Sequence, residues 1–114
     1  MLDGKLQLKE GQTIALVDNP YDLEVGAPRA EIDTADSVMV FATNRVELDQ
    51  RMGMLRGAVE RGALAWLAYP KAKQLNTDLN RDIIRDLARD RGLDPVRQVS
   101  LDEIWSGLRL KPLS

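Results

Sequence analysis

The chain has 114 residues, 44% of them hydrophobic and 30% charged, which is the composition of one folded domain rather than of two domains or a disordered segment. It contains no cysteine and no histidine, which removes disulfides, thiolate nucleophiles, the usual nitrogen and sulfur ligands of transition metals, and imidazole as a general base. Sixteen Lys and Arg against eighteen Asp and Glu leave a formal charge of −2, which argues against electrostatic binding to nucleic acid.

The start, Met1-Leu2-Asp3-Gly4-Lys5, lacks the basic region and apolar stretch of a signal peptide. The longest apolar run, at 63–69, is too short to span a bilayer. A soluble cytoplasmic protein without membrane contact is the expectation. After a polar lead-in ending at Gly11, residues 13–17 (Thr-Ile-Ala-Leu-Val) form a compact apolar strand stopped by Asp18-Asn19-Pro20. Residues 19–36 are polar and broken by Pro20, Gly26 and Pro28, the pattern of a long loop. Residues 37–42 form a second strand, apolar on both faces like a central parallel strand.

Asn44 caps the next helix, with Glu47 in capping-box position. Leu48, Met52, Leu55 and Val59 recur at helical spacing, and Gly62 ends the run. Gly53 and Gly57 inside this helix each cost about 1 kcal/mol relative to alanine, so a close packing partner is expected there. Residues 63–69 are a third strand, again apolar on both faces, which ends at Pro70. Thr77 caps a second helix with the stripe Leu79, Ile83, Ile84, Leu87 and Ala88, ended by Gly92. Its alternating Asp and Arg columns are a solvated ion-pair face. Strands at 96–101 and 104–110 follow, separated by Asp102-Glu103, and so short a connection makes an antiparallel hairpin.

Residues 1–114 thus read as a single α/β domain, a Rossmann-like sheet of five strands with two main helices. The simplest spatial order is 1-2-3-5-4, the last strand being antiparallel. Right-handed crossovers put both helices on one face. The other face of strands two and three then lies bare, a larger apolar patch than monomers usually carry. A homodimer burying that face, with Trp105 near its margin, is the expected cover. The alternative cover is the 19–36 loop, through Tyr21, Leu23, Val25 and Ile32.

Three segments carry a resemblance: Tyr69-Pro70-Lys71, the run Thr77-Asp78-Leu79-Asn80-Arg81-Asp82, and the closing Asp102-Glu103-Ile104-Trp105-Ser106-Gly107-Leu108-Arg109. Together they resemble a family of small bacterial proteins classed only as a domain of unknown function, over about residues 5–112. The resemblance implies a Rossmann-like fold and no assigned activity. The strand order also resembles the C-terminal half of a methyltransferase fold. Such enzymes need a glycine-rich turn after the first strand, and here that turn is Asp18-Asn19-Pro20-Tyr21. Neither methyl transfer nor any cofactor is expected.

In open α/β sheets, ligands bind beyond the carboxyl ends of the parallel strands. That edge nominates Asp18, Asn19, Tyr69, Lys71, Lys73, Thr77 and Trp105 as candidate ligand-binding residues. Lys71 and Lys73, beside the helix capped by Thr77, suit a phosphate or carboxylate, with Asp18 and Tyr69 as acid or base. Ser106 has no neighbouring base in sequence, and no metal site is expected. Two functions follow from these residues. One is a non-catalytic module acting in protein association or small-ligand binding. The other is a small enzyme or ligand-dependent regulator acting on an anionic small molecule at this edge.

Overall fold

The computed structural model describes residues 2–19, 25–72 and 74–113. A short helix α1 (Leu2–Lys5) precedes β1 (Ile14–Val17), β2 (Ser37–Phe41), α2 (Arg45–Glu60) and β3 (Leu64–Pro70). Then come α3 (Arg81–Asp90), β4 (Leu93–Ser100) and β5 (Trp105–Pro112). The five strands form one sheet in the order β1-β2-β3-β5-β4. β1, β2 and β3 are parallel, and β5 runs antiparallel to both neighbours, with Ala68 opposite Gly107 and Val99 opposite Gly107 on the other side. The expected architecture is the one found.

Alternation along β2 and β3 sends side chains to two separate cores. Val38, Val40, Ala65 and Leu67 pack with Leu108 and Leu110 against Leu48, Met52, Leu55 and Ala58 of α2 and Ile84 and Ala88 of α3. Both helices therefore lie on one face, as right-handed crossovers require. α2 ends at the Arg61–Gly62 corner, where Gly62 takes φ of 83°, a left-handed conformation open to glycine without strain. Among the described residues nothing lies within 4 Å of where a Cβ on Gly53 or Gly57 would stand, so the close partner expected there is not found: both glycines lie on the exposed side of α2.

The opposite face is not bare. Met39, Phe41, Trp66 and Ala68 pack there with Leu6, Ile14, Leu101 and Trp105, and Leu8, Val25 and Ala27 close over them. Trp66 is fully buried, and its indole N–H donates to the Leu6 carbonyl at 3.2 Å, which satisfies the one polar atom of the ring. Gly107 packs closely on this face: a Cβ there would sit 3.3 Å from Leu101, a tight approach, and at ordinary contact distance, 3.5 Å, from Trp66. The N-terminal lead-in, read as polar from sequence, is thus half of the cover.

The 25–36 segment supplies the other half and wraps the β1 edge. Val25 and Ala27 lie on the helix-free face, whereas Ala30 and Ile32 pack against the helix face. Between them, Pro28 accepts from Ile14 N–H at 3.0 Å and Ala30 donates to the Ile14 carbonyl at 3.1 Å. Tyr21 and Leu23 lie outside the described residues. The premise of an uncovered apolar face is therefore corrected: the chain covers both faces itself. At the far edge, Pro95 and a register shift between Pro95 and Arg97 interrupt β4, devices that discourage edge pairing.

If Leu6 is a core residue, Leu6→Ala lowers the unfolding free energy by about 2–5 kcal/mol, read by urea denaturation. A change below about 0.5 kcal/mol, typical of a surface site, would return the N-terminal segment to the status of a lead-in.

Candidate functional site

The carboxyl ends of β1, β2 and β3 and the start of β5 meet along one edge of the sheet, and the sequence candidates are distributed over it. Asp18, the first residue after β1, has φ of 57°, a conformation aspartate tolerates better than most residues. Its Oδ2 lies 3.0 Å from Arg51 Nε. Arg51 Nη1 donates to the Phe41 carbonyl at 2.8 Å and approaches Glu47 Oε1 at 3.5 Å. Asn19 follows, half-buried.

Glu47 is the hub on the α2 side. Asn44 caps α2 by accepting from Glu47 N–H at 2.9 Å, as the Asn44 and Glu47 spacing predicts. The reciprocal half of the capping box is displaced by one residue: Glu47 Oε1 takes the Thr43 N–H at 2.8 Å and the Thr43 hydroxyl. The Thr43 hydroxyl, then the Thr43 backbone N–H, hold the Glu47 carboxyl below the usual carboxylate range, with Arg51 adding to them and partial burial opposing them.

Lys71 turns away from both Asp18 and the helices. Its ammonium donates to Ser100 Oγ at 2.8 Å and to the Asp102 carbonyl, while its backbone N–H donates to the Ile104 carbonyl at 2.7 Å. Asp102 Oδ1 accepts from Ile104 and Trp105 N–H at 2.8 and 2.7 Å. Lys71 thus ties the end of β3 to the turn between β4 and β5. Lys73 lies outside the described residues.

The second helix begins later than Thr77. Asn80 is the cap of α3, accepting from Ile83 N–H at 2.9 Å, and Thr77 Oγ1 instead accepts from Leu79 N–H at 3.0 Å. Asp78, expected in the first helical turn, lies before it and accepts from Arg45 N–H at 2.9 Å. It therefore serves the first free donor of α2.

Tyr69 and Trp105 sit on opposite faces. Tyr69 is buried in the helix-side core, opposite Ser106 in register, and its hydroxyl accepts from Gln98 Nε2 at 3.2 Å. Burial pushes its phenol above its ordinary range, against the opposing effects of the Arg81 charge and a hydrogen bond with Ser106. A phenol so placed stays protonated at neutral pH and is a poor base there. Trp105 is buried on the helix-free face, edge-on to Phe41 with ring centroids 5.5 Å apart. The two aromatic candidates do not converge on one pocket.

The edge that results is two networks rather than one cleft: Asp18–Arg51–Glu47–Thr43 beside α2, and Lys71–Ser100–Asp102 beside the hairpin. Thr43 lies on this edge by its place after β2, whereas Arg51, Glu47 and Ser100 are not edge residues by sequence position. Glu47 and Arg51 were legible in principle, since an i,i+4 pair after a cap points back at the preceding strand end. Ser100 was not, being 29 residues from Lys71. Among the described residues no group of three or more potential metal ligands gathers, and no helix is long and apolar enough to cross a membrane. Neither family models nor curated proteins match this sequence.

Because the Glu47 carboxyl is held below its unfolded range, it contributes stability that is present above about pH 4.3 and is lost as pH falls through the lower folded value. Glu47→Gln is therefore less stable than wild type at pH 7, and the difference shrinks as pH falls below the unfolded glutamate value of about 4.3 in urea titrations. A difference constant with pH would remove Glu47 from the acid response.

Proposed function

We propose that this chain is a non-catalytic α/β module that works by holding a small ligand or a protein partner, with no reaction run at the carboxyl edge of its sheet. The observation that carries this reading is the engagement of Lys71. The cation that an anionic substrate would need is spent on Ser100 Oγ and the Asp102 carbonyl. Asp18 is paired with Arg51, and Tyr69 is buried among Gln98 and Ser106, so the acid–base pair suggested by sequence lacks a common substrate position. The resemblance to a small bacterial family of unknown function agrees with a Rossmann-like fold and adds no activity.

A second copy is not needed to complete the core, since Trp66 and Met39 are fully buried within one chain. Association with itself or another protein then uses a surface other than the helix-free face.

The competing enzyme or regulator reading is separated by one variant and two readouts. Lys71→Ala should lower stability by about 1 kcal/mol, a fall in Tm of roughly 4–8 °C for a domain of about this size. A thermal-shift screen of nucleotides, cofactors and acidic metabolites should return the same hits for wild type and variant. A ligand whose stabilisation vanishes in Lys71→Ala, with the ligand-free Tm unmoved, would overturn the module reading in favour of a substrate site at this edge.

A further inference from the structure

The opposite, amino edge of the parallel strands holds a cavity of about 390 Å³, at the small end of the range of ligand sites. The N-terminal segment, the corner after α2 and β5 build its wall. Its polar side chains are Gln7, Lys9, Gln12, Asp36, Arg61 and Arg109. Three cations face one carboxylate here, a local reversal in a chain whose net charge is −2.

The wall is richer in donors than in acceptors. Gln7 Oε1 accepts from Arg109 Nη1 at 2.6 Å, and Gln12 Oε1 accepts from Lys9 N–H at 2.9 Å. Each amide oxygen thus already accepts one hydrogen bond, and the amide nitrogens are the donors these two side chains offer. Asp36 Oδ2 is taken by the Thr13 N–H at 2.9 Å and its hydroxyl at 3.3 Å. Arg61 is braced by the Ile32 and Ala35 carbonyls, which holds its guanidinium at the carboxyl end of α2 and offsets the partial negative charge there.

Arg109 is the unusual member. Its Nε is buried without a hydrogen-bond partner among the described residues, and an unsatisfied buried donor on a charged group is costly to keep. Among the described residues Ser37 Oγ is likewise buried with no partner; Ser37 adjoins Asp36 and stands opposite Leu64, and both of these line the cavity. Arg109 is held at the cavity wall through its Nη1 bond to Gln7, and the remaining N–H groups of its guanidinium are the donors it offers there.

We propose that this cavity binds a small organic anion rich in acceptors, bearing phosphate or carboxylate groups, held by Arg109 with Arg61, Lys9 and the amide nitrogens of Gln7 and Gln12. This deepens the module reading, on which it rests, by giving the module a ligand class and a place to hold it. Guanidinium groups pair with both oxyanions through two parallel hydrogen bonds. The volume, about 390 Å³, admits more than a single phosphate.

The test titrates pyrophosphate and citrate into wild type, Arg109→Met and Lys9→Gln, by calorimetry and amide chemical shifts, against sodium chloride at matched ionic strength. Wild type should bind at least one of the two saturably, with shifts at Gln7, Gln12, Gly62 and Leu64. A response to pyrophosphate alone assigns a phosphate ligand, and a response to citrate alone assigns a carboxylate. Arg109→Met should weaken binding by about 10- to 100-fold while its ligand-free Tm is unchanged or higher. Lys9→Gln, at an exposed position, should weaken it several-fold and carries the test if Arg109→Met fails to fold. Absence of saturable binding to wild type, undiminished binding to the variants, or shifts confined to Asp18 and Lys71 would each overturn the cavity assignment. The first two leave the module reading standing if Lys71→Ala behaves as expected, so the two failures are distinguishable.

Discussion

Strands β2 and β3 carry apolar side chains on both faces, and one chain of 114 residues has to take both faces out of water. Burial of such surface is the main favourable term in folding, so everything else in the molecule is arranged around it. Two helices cover one side. On the other, Trp66 sets the terms: its large ring needs cover and its N–H needs an acceptor. The Leu6 carbonyl supplies that acceptor and brings the N-terminal segment onto the sheet with it. The same arrangement places Gln7, Lys9 and Gln12 over the amino edge, where they meet Arg61 and Arg109. A packing requirement in the middle of the sheet thus assembles a charged cavity at its end.

The elements legible in the sequence were those with a local signature. Residues 37–42 and 63–69 read as central strands because no polar residue interrupts their apolar runs, and the two-residue spacer at Asp102-Glu103 implied an antiparallel hairpin; the strands found are Ser37–Phe41 and Leu64–Pro70. The cover of the helix-free face was not legible. Leu6 and Leu8 stand among polar residues in too short a stretch to show a period, and their burial depends on Trp66, 60 residues away from Leu6. The start of α3 failed for a different reason. Thr77 and Asn80 are both good caps, and the choice is settled by tertiary partners: Asp78 is drawn to the N–H of Arg45, leaving Asn80 to cap.

The candidate site divides along the same line. The topology correctly placed Asp18, Lys71 and Trp105 at one edge, but periodicity does not report what each side chain finds there. Arg51 reaches Asp18 from the second turn of α2, and Ser100 reaches Lys71 from the far strand. Both partners lie outside any local window. The general rule that ligands sit at the carboxyl edge of open sheets rests on unsatisfied backbone and helix termini. In this molecule, side chains of the chain itself occupy that edge beside α2 and the hairpin, while the opposite edge gathers Lys9, Arg61 and Arg109 around a single carboxylate, Asp36.

Both tryptophans lie on the helix-free face, Trp66 with no exposure and Trp105 with 4%, so their fluorescence reports directly on whether a single chain covers that face. Emission and acrylamide quenching measured from micromolar down to nanomolar protein provide the test. A self-covered sheet predicts a blue-shifted maximum and weak quenching that do not change on dilution. A shift to the red with rising quenching as the protein is diluted would mean that a second copy supplies the cover, and would contradict the account.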